Sequence, residues 1–252
     1  MKTSDNYILI TGGASGIGYA LADAMAKRGN HILVCGRRKD RLLIAKNKNP
    51  DLQTFACDIT KEKDRLALYD YVKSNFSEMN ILVNNAGIQR DVTLTEGLED
   101  LINGEDEIAV NLEAPIHLSL LFMSLLKQKS DSYIINVSSG LGFIPAVNMP
   151  IYSATKAGLH AFTKSLRQQL INTKSTVKVI EIIPPAIESE LNSEGRKKRG
   201  SKFDLLPKDF IEGIMHKILS GENEIGFGFT ENVMHASKKE LDERFVAMNS
   251  RR

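Results

Sequence analysis

Apolar and polar positions change rhythm repeatedly along this chain. Short apolar runs, YILIT, HILVCG, LQTFAC, NILVNN, YIINVS and VKVIEII, each stop at turn-forming or polar residues. Runs of this length, apolar at consecutive positions and rich in β-branched side chains, predict strands buried on both faces. Between them the apolar positions recur at helical spacing. That spacing predicts helices near 16–28, 61–76, 105–128 and 151–173, and a shorter one near 38–46. Regular alternation of strand and helix predicts a parallel sheet covered on both faces, wound through right-handed crossovers into an α/β, doubly wound domain. The last quarter is less regular. A loop over 187–206 precedes a helix near 207–220, a short strand near 225–228 and a charged helix near 230–248. No linker composition, internal repeat or low-complexity tract divides the chain, so residues 1–252 read as one domain.

Composition changes this picture little. The 252 residues are 42% hydrophobic and 25% charged, with a formal charge of +2, too small to argue for a nucleic-acid partner. No run of 18 apolar residues occurs, so no membrane insertion is expected. The start runs directly into a strand and glycines, without a leader pattern. Cys35 and Cys57 lie in strand-like stretches and read as small buried residues of a reducing compartment, so a cytoplasmic location is expected. The five histidines lack metal-ligand spacing, and no metal is expected.

The first strand ends in TGGASGIG, residues 11–18, directly before a helical run. Small residues at such a turn, Gly12, Ala14, Ser15, Gly16, Ile17 and Gly18, let backbone N–H groups approach a phosphate at the positive end of a helix. The spacing is GxxxGxG rather than GxGxxG. Glycines also serve tight turns with no ligand; the strand–turn–helix context favours a nucleotide. After the second strand, an acidic residue would accept hydrogen bonds from an adenosine ribose. Gly36 stands there instead, followed by Arg37 and Arg38. Guanidinium groups attract a 2′-phosphate, which favours NADP over NAD, with NAD as the alternative. A solvated charge run at a helix start is the plain reading of the same arginines.

After the third strand, Asp58 and Ile59 suit an adenine edge and face, although Asp58 suits a turn or helix cap equally well, with Thr60. After the fourth comes NNAG. Asn85, Ala86 and Gly87 permit close backbone approach at the carboxyl ends of the strands, while Asn84 suits tying strands together. Tyr152 and Lys156 then stand one helical turn apart, behind a strand ending NVSSG. A phenol has a pKa near 10, and a nearby cation is expected to lower it. A serine hydroxyl, Ser138 or Ser139, would bind the substrate oxygen beside the phenol. Such a group passes a proton to or from a carbonyl or carbinol oxygen while a nicotinamide carries hydride.

These motifs, in this order, resemble the short-chain dehydrogenase/reductase family over nearly the whole chain. TGGASGIG resembles its glycine turn, NNAG its sheet motif, and Ser139 with YSATK its serine–tyrosine–lysine set. Family spacing selects Ser139 over Ser138, and Asn111 in AVNLEAP matches the asparagine that completes a proton-relay tetrad. The resemblance implies catalytic roles for Asn111, Ser139, Tyr152 and Lys156, with Tyr152 and Lys156 also touching the cofactor. It implies a single Rossmann-type domain with a seven-stranded parallel sheet in the order 3-2-1-4-5-6-7. It further implies hydride transfer at an alcohol or carbonyl carbon, and a homodimer or homotetramer. One departure stands out. PPAIES, residues 184–189, puts Pro185 where the family commonly has glycine; Pro185, Ile187 and Ser189 remain candidates for cofactor contact. The tract resembles a subgroup that includes the oxidoreductase encoded beside bacterial lipoteichoic acid D-alanylation genes. No cell-wall role follows from that.

Leu141, Phe143, Ile144, Val147 and Met149 are expected either to line a pocket or to pack beneath the 140–150 loop. Gln89 and Arg90 face either the substrate or the surface. Residues 187–206 suit a lid, and the basic run 196–200 an anion contact or a solvated surface. The helix near 105–128 is apolar over much of its circumference, more than one buried stripe requires. That surplus, with Leu159, Ala161 and Phe162 on the next helix, suggests cover by a second subunit. His117 and His160 read as packing or surface residues. A dinucleotide-binding sensor or scaffold is the non-enzymatic alternative.

Overall fold

The computed structural model describes residues 1–97, 104–193, 195, 197 and 205–250. The strands are β1 (Tyr7–Thr11), β2 (His31–Gly36), β3 (Gln53–Ala56), β4 (Ile81–Asn84), β5 (Ser132–Val137), β6 (Val177–Ile183) and β7 (Glu224–Gly226). They form one sheet in the order β3-β2-β1-β4-β5-β6-β7, every neighbouring pair parallel. The helices are α1 (Gly16–Ala26), α2 (Lys39–Lys48), α3 (Glu62–Asn75), α4 (Ala114–Leu126), α5 (Pro150–Asn172), α6 (Pro207–Ser220), α7 (Phe229–Val233) and α8 (Lys238–Asn249). This is the doubly wound α/β fold that the alternation predicts.

Consecutive apolar residues form the strands because both faces of the sheet are covered. Ile8 and Ile10 of β1 point into one core with Leu21, Met25, Phe210 and Ile214 from α1 and α6. Leu9, between them, points into a second core with Leu68, Phe122 and Leu166 from α3, α4 and α5. Alternating strand residues therefore serve opposite layers. The order of winding reverses between β1 and β4, which opens a crevice beyond the carboxyl ends of the strands.

The sequence pattern and the structure part in two places. The helix expected near 230–248 is two helices, because Ser237 and Glu240 form a reciprocal capping box that starts α8 afresh. The helix expected near 105–128 has a π-helical turn at Ala109–Glu113 before α4 begins. An extra residue in such a turn shifts the side chains that it carries, and Asn111 is one of them. The stretch Ala109–Leu126 matches a membrane span by length and hydropathy, yet half of it is buried inside the fold. It is a core helix laid along the sheet. Leu118, Phe122, Leu125 and Leu126 are buried, whereas Leu120 is 59% exposed.

Candidate active site

The turn after β1 is shaped by its glycines. Gly12 has φ +64° and Gly16 φ +56°, conformations that L side chains rarely adopt. A Cβ on Gly12 would lie 2.8 Å from Ala86 Cα, and one on Gly18 would lie 2.6 Å from the Gly12 carbonyl oxygen and collide with Asn85. These glycines let the turn close onto the segment after β4. Asn85 locks the same contact by donating to the Thr11 and Gly12 carbonyls at 2.9 and 3.2 Å. The Thr11 hydroxyl accepts from the Asn85 and Ala86 N–H groups, each at 3.0 Å. Helix α1 begins here with no side-chain cap and no acidic residue in its first turn. Its N–H groups and positive end face the crevice.

The crevice has a volume of about 710 Å³. Gly12, Ala14, Ser15, Gly16 and Ile17 line one end, with Gly36, Arg37, Arg38, Asp58, Ile59, Asn85, Ala86 and Gly87. Ser139, Tyr152, Lys156, Pro185, Ile187 and Ser189 line the remainder. A Cβ on Gly36 would meet nothing within 4 Å, so the floor beside Arg37 is open. An open helix N-terminus, a glycine cradle and guanidinium groups at one end suit a dinucleotide with an anionic pyrophosphate.

Several candidates hold structural contacts as well. Asp58 accepts from the Thr60 N–H at 3.1 Å and its hydroxyl at 2.7 Å, the turn role. Asn84 donates to Asn136 at 2.8 Å and Ser119 at 3.1 Å, tying β4 to β5 and α4. Ile187 is buried in the core beneath α1 and α6 and also borders the crevice. Ser189 accepts from the Leu191 N–H at 3.3 Å. Arg37 pairs with Glu105. Arg38 and Arg41 share Glu190, at 3.4 and 2.8 Å.

Three elements bring four polar side chains together. Ser139 starts the short 3₁₀ turn after β5, and its hydroxyl accepts from the Leu141 N–H at 3.1 Å. Tyr152 and Lys156 project from the first turns of α5 and are buried, 5% and 3% exposed. The Lys156 amine donates to the Val137 carbonyl at 2.9 Å and stands 5.6 Å from the Tyr152 ring centroid. Asn111, on the π-helical turn, accepts from the Ile88 N–H at 2.9 Å, donates to the Ile88 carbonyl at 2.8 Å, and donates to Thr155 at 3.2 Å. A Cβ on Gly87 would lie 3.3 Å from Asn111 Oδ1 and 3.6 Å from Lys156 Nζ.

One electrostatic expectation is overturned. The Tyr152 phenol is not lowered; burial pushes it up to about 12, with the Ser139 hydroxyl pulling downward and Glu107 adding to the rise. Burial also brings the Lys156 amine down to about 8, and Glu181 opposes that fall. Burial, which penalises the charged form, is the largest cause for both groups.

Among the charged residues at the crevice, sequence reasoning missed Arg41, Glu105 and Glu190, and beside it Glu107. Arg41 lies one turn from Arg38, a spacing that could have exposed it. Glu105 and Glu190 answer the arginines from distant loops and carry no local signal. Glu107 is buried against Arg90, 3.6 Å away, and burial raises its carboxyl. In the 140–150 loop, Leu141 and Met149 line the crevice. Ile144 is buried, Val147 is exposed, and Phe143 packs on His160. Gln89 and Arg90 line the crevice. His160 holds the buried Glu181 at 2.9 Å, and His117 lies 3.7 Å from Glu113. Of the run 196–200, Lys197 alone falls within the described residues.

Comparison with known proteins agrees with this geometry. The family description "short chain dehydrogenase" matches residues 6–200. The chain is 38% identical over 251 residues to the uncharacterized oxidoreductase DltE of Bacillus subtilis, covering 99% of each. It is 31% identical over 224 residues to an uncharacterized oxidoreductase of Staphylococcus saprophyticus, covering 86% of this chain and 93% of that one. Among solved structures, a short-chain dehydrogenase of Burkholderia cenocepacia in complex with NADP superposes with a TM-score of 0.81 at 23% identity, covering 98% and 99%. One of Burkholderia phymatum with NAD gives 0.80 at 20%, covering 90% of each.

Proposed function

The chain belongs to the short-chain dehydrogenase family, NAD(P)(H)-dependent oxidoreductases acting on CH–OH or C=O groups, and we propose that this member is an NADP(H)-dependent carbonyl reductase, reversible as an alcohol dehydrogenase. In this reading Tyr152 donates its phenolic proton to the carbonyl oxygen, and the Ser139 hydroxyl hydrogen-bonds the same oxygen. The Lys156 ammonium stabilises the phenolate left behind. Asn111, clamped by Ile88 and Thr155, holds its amide at the start of the path by which the proton is restored. The bound nicotinamide supplies or accepts the hydride. A phenol held near 12 is fully protonated at neutral pH, which suits the reducing direction.

The observation that carries the reading is one crevice lined by both the uncapped glycine turn and the Ser139–Tyr152–Lys156 group. Arg37, Arg38 and Arg41 at the other end support NADP as the cofactor. NAD is the second reading, supported by the carboxylates that already pair with those arginines. Dissociation constants for NADPH and NADH decide between them, measured on the wild type and on Arg37→Ala with Arg38→Ala. Loss of an NADPH preference in the variant supports NADP; an unchanged ratio defeats it. A spectrophotometric panel of ketones and aldehydes with NADPH tests the reaction, with Tyr152→Phe as its control. We also assign a homodimer or homotetramer built on α4 and α5, supported by exposed Leu120 and Ile171. Free, buried Cys35 and Cys57 support a cytoplasmic location.

A further inference from the structure

Glu190 bridges two arginines: Arg38, which the sequence marks for a cofactor phosphate, and Arg41, one helical turn further on. Its two carboxylate oxygens divide between two guanidinium groups: Oε1 lies 2.8 Å from Arg41 Nη1, and Oε2 lies 3.4 Å from Arg38 Nη1. Both arginines belong to the start of α2, with Arg38 at the cap position and Arg41 three residues on. Asp40 adds a carboxylate 3.9 Å from Arg41 Nε, and Glu105 pairs with Arg37. Three guanidinium groups at this end of the crevice thus face three carboxylates. The local charge is close to balanced, and a phosphate arriving there meets anions as well as cations.

The carboxylates are not equivalent. Asp40 and the arginines share one element, so Asp40 stays wherever they are. Glu190 reaches across from the segment after β6, and its neighbours Pro185, Ile187, Ser189, Leu191 and Asn192 also line the crevice. The far end of that segment touches the 140–150 loop, with the Asn192 amide 3.8 Å from the Met149 sulfur. It also donates to Asp91 at 3.3 Å. The residue in contact with the arginines therefore sits two positions from one in contact with the wall near Tyr152.

We propose that Glu190 is a specificity-determining residue: its carboxylate stands in for the cofactor 2′-phosphate on Arg38 and Arg41, and NADP, unlike NAD, must displace it. This rests on the NADP reading given above. A dinucleotide without the 2′-phosphate leaves the Glu190 contacts intact. One with it competes for the same N–H groups, and like charge drives the carboxylate away. Residues 186–193 then hold differently in the two complexes.

The test is equilibrium binding to Glu190→Gln, a substitution that keeps shape and removes charge. NADPH is expected to bind about fivefold more tightly to the variant, while NADH affinity changes by less than about twofold. Hydrogen exchange of the wild type should show faster exchange at residues 188–193 with saturating NADPH than with saturating NADH. In the variant that difference should disappear. Equal tightening for both cofactors would reduce Glu190 to a general repulsive charge and overturn the proposal. So would weaker NADPH binding, which would make Glu190 a support for the arginines, or identical exchange in the two wild-type complexes. The underlying NADP reading fails separately: it falls if the wild type and the Arg37→Ala, Arg38→Ala variant show the same NADPH-to-NADH ratio, whatever Glu190→Gln does.

Discussion

Two tyrosine–lysine pairs stand at opposite edges of the same sheet. At the carboxyl edge, Lys156 Nζ lies 5.6 Å from the Tyr152 ring centroid; at the amino edge, Lys178 Nζ lies 5.3 Å from that of Tyr133. The cation–ring geometry is nearly the same, and the surroundings are not. Tyr133 donates to Asp131 at 2.7 Å and accepts from Lys178 at 3.3 Å. Burial and Asp131 raise its phenol well above the ordinary range. The Lys178 side chain is 64% exposed. That edge is stitched by Asn80, which accepts from the Tyr7 N–H at 2.8 Å and donates to Asn6 at 3.0 Å and the Asp131 carbonyl at 2.9 Å. Tyr133 and Lys178 belong to a network that closes the starts of the strands. Tyr152 and Lys156 face the crevice where the strands end. A pair of residue types acquires chemistry from the space it faces, and parallel sheets open that space at one edge.

Substitution at both edges sharpens the contrast. Tyr152→Phe should lower kcat/KM for carbonyl reduction by about 10²–10⁴-fold, whereas Tyr133→Phe should leave it within twofold and cost about 1 kcal/mol of stability in a urea titration. The reverse outcome would move the chemistry to the amino edge.

The lysines should differ in sign. The folded Lys156 amine lies near 8, below its unfolded value of 10.5. The unfolded chain therefore binds more protons between those values, and stability rises with pH through that window. Lys156→Met should remove this pH dependence and raise cofactor-free stability at pH 7 by about 1–3 kcal/mol while abolishing reduction. Lys178→Met should change stability by less than about 0.5 kcal/mol. Thermal melts at pH 7 and 9.5 read both. In the wild type, reduction should fall above pH 8 as Lys156 loses its proton, with Tyr152 still protonated; a flat profile to pH 9.5 would break that assignment.

Backbone approach supplies a third contrast. Gly18→Ala forces a methyl against Asn85 and the Gly12 carbonyl, and should cost about 1–3 kcal/mol together with a loss of dinucleotide affinity. Asn80→Ala at the other edge leaves the Tyr7 N–H without its acceptor and should cost about 1–3 kcal/mol while leaving NADPH affinity unchanged. Equal effects on binding would mean that the two edges communicate.

Much of this was legible before any coordinates. The apolar runs and their helical separators predict the seven strands and their covering layers, because a strand buried on both faces has no polar positions to show. The crevice-facing Gly12, Gly16, Tyr152 and Lys156 were legible from their spacing. The capping box at Ser237 and Glu240 was equally local, and reading it would have split the last helix. Glu105, Glu190 and Thr155 were not legible, since each meets its partner across tens of residues of chain. The phenol's direction is not legible either, because one helical turn between Tyr152 and Lys156 says nothing of how deeply both are buried.

What the amino-acid sequence determined by itself is periodic and local: strands and helices, where the glycines bend the chain, and which residue types lie a helical turn apart. The tertiary structure alone decided charge. How deeply Tyr152 and Lys156 are buried, and whether Arg38 and Arg41 face open solvent or the Glu190 carboxylate, depends on the packing of elements remote in the chain. Coulomb energy and desolvation follow distance and the depth of burial, and neither is written in the order of residues.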